Sequence, residues 1–458
     1  FLKDQGNLDN DWKRGHLLRQ RTYDVRGRLL QANENFYRIL GTSTDVNYQH
    51  AYGVTAEWRK RSACRPGLRD PEFNLIIEKP ITLISAWHRL DSSRSTQYFY
   101  EKNDLAGANP TMITTTNHTY YESNFDHANG VQPAFVSKTS QVDSEGDVIV
   151  NKILYPRDIY LTHGSVIHST AQRLLGKNML NVPVVNITLQ NNQVIAATFT
   201  EFANVGDKVY PKVKYVADLA VPLTNEADLY QVDSNEKLVY LQPKEQMTFE
   251  ATYSNLLESQ PDENITASFV WGYAHRTLVT AHVVNAQSNE IAFSSFEDTH
   301  HWGNWKLETG NGTLDGSDTH NGKQCFLSQG NNATLENVLP LPQQDYTLTF
   351  WKKGAGTVTV AGAHQVKLLK TVLGWSLYEA TLLNQNTASL TIPNGVRIDD
   401  LRLHPIDAQM STFTHRPLVG VTTKTDAKHQ TIYYEYDGFN RLKYLRDFAG
   451  HILKRYTY

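Results

Sequence analysis

The side chains best suited to chemistry lie in one short stretch that is rich in carboxylates and imidazoles. Its members are Glu297, Asp298, His300 and His301. Histidines beside carboxylates are ligands that a transition metal accepts. The same residue types also suit a solvated loop at the rim of a β domain, and both interpretations stay open from sequence alone.

Three motifs that carry catalytic chemistry do not occur in the sequence. They are the Gly-x-Ser-x-Gly nucleophile elbow, the phosphate-binding loop ending in Gly-Lys-Ser/Thr, and the His-Glu-x-x-His zinc site. A carboxylate pair for glycoside hydrolysis must lie roughly 5–10 Å apart, and sequence cannot place such a pair. We therefore predict no catalytic residues and no enzymatic activity.

Several tryptophans have ring faces that could stack on sugars. Trp351 alternates with apolar residues in a strand-like run, which favours packing in a core over binding. Three others are kept as carbohydrate-binding candidates, with burial in a core as the alternative for each. They are Trp302, Trp305 and Trp375.

A spaced turn motif is the most informative local pattern: an Asp, two residues, a Gly or Asn, one residue, and then an aliphatic residue. The Asp can accept hydrogen bonds from backbone N–H groups further along the turn, and Gly or Asn tolerates the positive φ that a type I turn with a bulge requires. Each copy is therefore predicted to form the tip of a β-hairpin. The four copies are Asp24 with Gly27, Asp143 with Gly146, Asp437 with Asn440, and Asp447 with Gly450.

Composition limits the classes of protein that remain. The chain has 458 residues and a net charge of −3, from 44 Lys and Arg against 47 Asp and Glu, which argues against a nucleic-acid-binding protein. A mean hydropathy of −0.47 and the lack of an apolar run near ~18 residues argue against a membrane-spanning helix. Two cysteines exclude a disulfide scaffold. The many tyrosines, threonines and valines favour β structure.

The chain divides into three regions by pattern. Residues 1–288 read as short strand-like runs bounded by Asn, Asp, Gly and Pro, with one helical candidate over 165–177. Residues 289–406 alternate more cleanly and predict a β-sandwich. Residues 407–458 return to the turn motif. We therefore expect an all-β chain in which the sandwich is inserted within the hairpins or docked beside them.

The turn motif and its flanks resemble the YD repeats of the RHS-repeat family. The resemblance rests on Tyr-Asp-Val-Arg-Gly-Arg-Leu at 23–29 and Tyr-Asp-Gly-Phe-Asn-Arg-Leu at 436–442. Members include the shells of insecticidal toxin complexes, bacterial polymorphic toxins and animal teneurins. The stretches Lys-Asn-Met-Leu-Asn-Val-Pro at 177–183 and Phe-Val-Trp-Gly-Tyr at 269–273 also resemble recurrent signatures of RHS proteins from Bacteroidetes-type bacteria. The resemblance implies hairpins that form part of a curved β shell over 1–288 and 407–458.

Residues 289–406 resemble a jelly-roll carbohydrate-binding module of the galactose-binding-like kind. The resemblance rests on Phe-Glu-x-x-x-x-Trp at 296–302, Tyr-Thr-Leu-Thr-Phe-Trp at 346–351 and Ile-Asp-Asp-Leu at 398–401. Such modules often hold a structural Ca²⁺ between their first and last strands, and the matching positions are Glu297 and Asp399. Carboxylate oxygens suit calcium. Apart from this ion, the resemblance implies no required cofactor.

The two resemblances imply an exported, non-enzymatic shell segment, secreted or on the bacterial cell surface, that scaffolds or encloses an effector or toxin domain. Its expected partners are further RHS repeats or a C-terminal effector domain of a longer chain, the secretion machinery and glycans, with no nucleic acid and no membrane span. One alternative is a cell-surface adhesin that binds glycans through the jelly roll. A second is a glycoside-active enzyme with a binding module.

Overall fold

The structure is a computed structural model that describes residues 8–9, 15–40, 49–60, 73–85, 87–100, 109–120, 135–143, 145–162, 165–262, 265–299 and 301–458. Strands make up 58% of it and helices 7%, so the predicted all-β class is confirmed. The chain forms two compact units: residues 1–199 with 216–242, and residues 200–215 with 243–458. The division at 288 and 406 stays a prediction.

The first unit contains strands that pair mainly with their neighbours in sequence. They are β1 (Leu8–Asp9), β2 (Arg19–Tyr23), β3 (Leu29–Leu40), β4 (Gln49–Lys60), β5 (Phe73–Ser85), β6 (Trp87–Phe99), β7 (Asn109–Tyr120), β8 (Val136–Val142), β9 (Val148–Leu154), β10 (Val185–Gln190) and the start of β11 (Gln193–Val205). β5 pairs with both β1 and β4. The others form an antiparallel series in the order β2-β3-β6-β7-β8-β9-β10-β11.

Two helices interrupt the strands of this unit, α1 (Pro156–Thr162) and α2 (Ser165–Gly176). The helix predicted over 165–177 is present as α2. Its buried residues Ile167, Ala171 and Leu174 follow the i, i+4, i+7 spacing of one helical face. The sequence analysis missed α1 because seven residues are too few to display that period.

The second unit contains the remaining strands. They are β12 (Lys208–Ala217), β13 (Leu241–Phe249), β14 (Leu256–Asp262), β15 (Ile265–Gly272), β16 (Leu278–Val284), β17 (Ala292–Ser294), β18 (Trp305–Thr309), β19 (Gly312–Asp315), β20 (Cys325–Ser328), β21 (Ala333–Asn337), β22 (Gln344–Lys353), β23 (Thr359–Val360), β24 (Ala363–Val372), β25 (Trp375–Gln385), β26 (Ser389–Ile392), β27 (Arg397–Pro405), β28 (Gln409–Arg416), β29 (Gly420–Thr425), β30 (Thr431–Tyr436), β31 (Leu442–Arg446) and β32 (Ile452–Arg455).

One antiparallel series of this unit skips a long piece of chain. Its order is β13-β14-β15-β16-β28-β29-β30-β31-β32. β16 and β28 are direct neighbours, with Ala281 opposite Thr412 and Val284 opposite Gln409. The strands β17 to β27 therefore lie, in sequence, between two paired strands of one hairpin series.

Strands β17 to β27 form two sheets that share one core. One sheet runs β19-β20-β27-β22-β25-β24, with β17 also on β27, and the other runs β18-β21-β26-β23. In β22 the alternate residues Tyr346, Leu348 and Phe350 are fully buried in the core with Leu390 and Ile398. This alternation is the period-2 pattern of a half-buried strand. The two sheets, packed on this shared core, form the β-sandwich predicted for this part of the chain.

Candidate functional site

In the predicted hairpin tips, the Asp carboxylate closes the turn. Asp24 Oδ1 accepts hydrogen bonds from the backbone N–H of Arg26 at 2.9 Å and of Arg28 at 2.8 Å. The Asp24 N–H donates to the Arg28 carbonyl at 2.9 Å. The corresponding carboxylate bonds at Asp143, Asp437 and Asp447 span 2.8–2.9 Å. We call this arrangement an Asp clasp.

The fourth residue of each clasp has the positive φ that the motif requires. It is 78° at Gly27, 91° at Gly146, 59° at Asn440 and 87° at Gly450. Glycine pays no steric cost for this conformation, and Asn pays less than most residues. The N–H of that residue also donates to the Asp carbonyl, at 3.0 Å in the first turn, so the clasp fixes both ends of the tip.

Among the residues that the structure describes, two further clasps were not predicted from the sequence. Asp233 Oδ1 accepts from the backbone at 2.8 and 3.0 Å, and Asp426 Oδ1 does so at 2.9 and 2.8 Å. Their positive-φ residues are Glu236 and His429, with φ of 62° and 58°, so the Gly-or-Asn rule failed. The Asp at the first position was the signal that could have found them.

Hydrogen bonding lowers the pKa of four clasp carboxyls, those of Asp24, Asp233, Asp437 and Asp447. For Asp24, Asp233 and Asp437 the backbone N–H four residues further on is the largest cause. For Asp447 the ring of His451 is the largest cause, and its Nδ1 lies 2.9 Å from Oδ2. These four clasps therefore favour the ionised form of their Asp.

The two residues predicted to bind calcium anchor one loop, residues 320–324. Glu297 Oε1 accepts from the backbone N–H of Lys323 at 2.6 Å and of Gln324 at 2.9 Å. Asp399 Oδ2 accepts from the N–H groups of His320 and Asn321 at 3.0 and 2.9 Å. The chain thus brings both carboxylates to the same loop.

These contacts do not fit a calcium ion, because the carboxylate oxygens face N–H donors, which repel a cation. The other oxygen of Asp399, Oδ1, accepts the N–H of Asp400 at 2.7 Å. No group of three or more His, Cys, Asp or Glu side chains is close enough to hold a metal within the described residues. His300 lies outside the described residues. Calcium binding at Glu297 and Asp399 stays a prediction.

A buried charge cluster lies next to this loop. Burial and the neighbouring Asp400 raise the pKa of Asp399 well above its usual value, and burial raises that of Asp400. Arg402, only 1% exposed, places Nη2 3.8 Å from Asp400 Oδ2 and 2.8 Å from Thr412 Oγ1. Its Nη1 donates to the Asp426 carbonyl at 3.1 Å, so one guanidinium joins the sandwich to β28 and to a clasp.

His320 packs between aromatic rings beside this cluster. Its ring stacks on Trp351 at 3.7 Å and on Phe448 at 5.5 Å between centroids. Burial, with Arg402 and Lys370, lowers the pKa of His320 to about 3. Phe448 belongs to the clasp that begins at Asp447, so this packing also links the last hairpins to the sandwich.

The three candidate tryptophans do not form one site. Trp375 is 3% exposed, packs with Cys325 and Trp351, and donates from Nε1 to Asp318 Oδ1 at 3.2 Å. Trp302 and Trp305 instead line a cleft with a volume of about 400 Å³. We call it the aromatic cleft; its other lining residues include Glu250, Trp271, Arg276, His301 and Leu339.

Comparison with known proteins gives no family. No family model and no curated protein matches the chain. Solved chains from "Crystal Structure of TcdB2-TccC3-Cdc42" and from "Crystal Structure of TcdB2-TccC3" are 11% identical to it, with TM-scores of 0.15 and 0.14. Each comparison covers 96% of this chain and 24% of the other, so this chain spans about a quarter of their length. Likeness at this level carries no argument about fold or function.

The helices of the described residues are all too short or too polar to cross a membrane.

Proposed function

We propose that this chain is a structural, non-enzymatic segment of an exported bacterial RHS-type protein, and that it scaffolds or encloses an effector domain of the same longer chain. The observation that carries the proposal is the Asp clasp, which recurs at Asp24, Asp143, Asp233, Asp426, Asp437 and Asp447. A device repeated this often along the chain has a role in building a wall of hairpins.

The clasp suits that role because its stabilisation is local. Each tip is closed by its own carboxylate, so a hairpin can form wherever the motif occurs, independently of the sequence of the strands behind it. Adjacent hairpins then pair edge to edge, as β29 to β32 do. Repetition of one self-closing unit can extend a sheet without leaving long unpaired edges.

The cluster around Arg402 adds a second element to the proposal. It fixes the sandwich against β28 and the clasp at Asp426 through hydrogen bonds of 2.8 and 3.1 Å. The sandwich would therefore act as a rigid part of the wall, and its partners would be the neighbouring repeats and the enclosed domain.

Protection of the enclosed domain tests the proposal. The full-length protein is treated with a nonspecific protease, and cleavage of the effector domain is followed by mass spectrometry. We expect the domain to be cleaved at least tenfold more slowly inside the full-length protein than when it is expressed alone. Equal cleavage rates would refute enclosure.

A clasp variant sharpens the test. Replacing the carboxylates at Asp426 and Asp437 together, D426A and D437A, should open the turns at the two ends of β30 and speed cleavage of the domain. The matched control is Asp407→Ala, which removes an exposed carboxylate just before β28. The hydrogen bond from Asn285 goes to the Asp407 backbone carbonyl, so the substitution keeps it. The control should leave the cleavage rate unchanged.

A further inference from the structure

The aromatic cleft is lined by residues of the hairpin series and by residues that lead into or belong to the sandwich. Glu250, at the end of β13, and Trp271, in β15, line it together with Arg276. Residues 301–305 and Leu339 also line it. All of these belong to the second unit. A cleft of about 400 Å³ falls within the range of sites that take small molecules, roughly 300–1,000 Å³.

Two tryptophans present mainly apolar surface to the cleft because their N–H groups are already used. Trp271 Nε1 donates to the Leu256 carbonyl at 2.7 Å, and Trp302 Nε1 donates to the Asp298 carbonyl at 2.9 Å. Trp302 is half-buried and meets Phe296 edge to face at 5.6 Å. Both rings are thus fixed in orientation with a partly open surface.

The cleft also contains polar groups with spare hydrogen-bonding capacity. Arg276 Nη1 lies 2.7 Å from Glu250 Oε1, and both side chains remain partly exposed. The guanidinium also lies 5.2 Å from the ring centre of Tyr253. Trp305 is 3% exposed and belongs to the buried core of the sandwich, so its ring forms part of the wall of the cleft.

The backbone of the cleft is held in conformations that ordinary loops avoid. Gly303 has φ of 53°, and a Cβ there would come within 1.8 Å of the Phe293 carbonyl oxygen. Asn304 and Arg276 have φ of 71° and 51°. Positive φ outside glycine costs free energy and concentrates at functional sites. The walls of the cleft are therefore preformed.

We propose that the aromatic cleft binds a saccharide of one or two rings. A sugar ring offers an apolar C–H face for the tryptophans and hydroxyl groups that both donate and accept around its rim. Those hydroxyls match the partly exposed carboxylate of Glu250 and guanidinium of Arg276. A purely apolar ligand would leave these groups without partners, and an anion would meet the Glu250 carboxylate.

This binding site goes beyond the scaffold role and does not depend on it. Its walls include residues 250–276 of the hairpin series, so it differs from a surface made by the sandwich alone. Trp375 has no part in it, because that ring packs with Cys325 and Trp351.

Calorimetric titration of the chain tests the proposal. The probes are glucose, galactose, N-acetylglucosamine, cellobiose, lactose and chitobiose. We expect at least one of them to bind with a dissociation constant of about 1 mM or tighter, which corresponds to about −4 kcal/mol. No binding by any of the six would overturn the proposal.

Variants locate the binding. Glu250→Gln keeps the shape of the side chain but removes its charge, and it should weaken binding about tenfold. Leu339→Trp should fill the cleft and abolish binding. The matched control is Glu308→Gln, a carboxylate paired with Lys306 outside the cleft, and it should change nothing. Unchanged binding in both cleft variants would overturn the proposal, as would a cleft that takes only aliphatic probes such as octanol.

Discussion

Asp24 in a hairpin tip and Asp399 in the sandwich each accept three hydrogen bonds, yet the pKa of Asp24 is lowered and that of Asp399 is raised. Asp24 keeps 16% of its side chain exposed and has Arg28 as a neighbour. Asp399 is fully buried beside Asp400. Hydrogen bonds favour the charged carboxylate in both places, and burial beside a like charge reverses the result.

The comparison separates two ways of stabilising the molecule. A clasp is a local device near water, so the loss of one should affect one hairpin tip. The cluster around Arg402 is a shared device without water, so the loss of one member leaves other buried charges uncompensated. Substitutions in the cluster should therefore lower the unfolding free energy by more than substitutions in a clasp.

The largest effect is expected from Arg402→Ala. The change removes hydrogen bonds to Thr412 and Asp426 and leaves Asp400 buried without its opposite charge. Loss of one partner of such a buried pair costs about 3–5 kcal/mol. Urea unfolding followed by tryptophan fluorescence measures the loss.

Its control is Arg446→Ala, which breaks a partly exposed pair with Glu435 and should cost less than about 1 kcal/mol. An equal loss of unfolding free energy in the two variants would contradict the distinction between the exposed pair and the buried cluster.

The next effect concerns acid. Folding holds the pKa of His320 at about 3, below its usual 6.5, so the unfolded chain binds more protons between these values. The stability that neutral His320 contributes is therefore complete above pH 6.5 and is lost as the pH falls toward 3. Burial also lowers the pKa of His429 to about 3, whereas the buried Asp399 and Asp400 have raised pKa values and act in the opposite direction.

His320→Gln isolates the contribution of one ring, because the other groups are common to both proteins. Between pH 7 and pH 5, the unfolding free energy of the native chain should fall by up to about 2 kcal/mol more than that of the variant. Urea unfolding at both pH values gives the difference. Parallel pH profiles would show that His320 is not held neutral.

A smaller gain is expected at a clasp. Glu236 has φ of 62° in the turn that begins at Asp233, a conformation that costs a residue with a Cβ roughly 1–2 kcal/mol. Glu236→Gly should therefore raise the unfolding free energy, by about 1 kcal/mol or less once the added freedom of the unfolded chain is counted. The mirror-image variant Gly27→Ala, where φ is 78°, should lower it, and a shared sign would contradict the backbone explanation.

The smallest effect is expected from chelation. Glu297 and Asp399 hold loop 320–324 through backbone N–H groups, so EDTA should shift the melting temperature by less than about 1 °C. Added calcium should not restore or raise it. A stabilisation by calcium of several degrees, lost in Asp399→Asn, would instead establish the ion that the jelly-roll resemblance implies.

Sequence reasoning reached the parts of the fold that depend on local chemistry. Asp24, Asp143, Asp437 and Asp447 were found because a clasp needs only residues within five positions of each other. Asp233 was missed because Glu236 occupies a position where a Cβ is tolerated at a cost. The Gly-or-Asn rule describes the residues that favour a positive φ at the fourth position, but other residues can adopt that φ as well.

The parts that depend on distant residues were not accessible. Arg402 donates to the Asp426 carbonyl, and Trp302 and Trp271 line the same cleft, only because the hairpin series and the sandwich fold together. No spacing in the sequence encodes these meetings. The tryptophans were recognised as candidates from their residue type. The folded structure is needed to distinguish Trp375, which is buried with Cys325 and Trp351, from Trp302 and Trp305, which line the cleft.

The pairing of β16 with β28 has a consequence for how the chain reaches its native state. Ala281 lies opposite Thr412, so β16 can pair with β28 only after the chain between them has been synthesised. Closing a loop of that length is entropically unfavourable and slow. The first and last strands of the intervening segment, β17 and β27, are themselves paired, with Ala292 opposite Leu403. If that segment folds first, the pairing of β17 with β27 holds its two ends side by side. β16 and β28 can then pair without closing a long flexible loop.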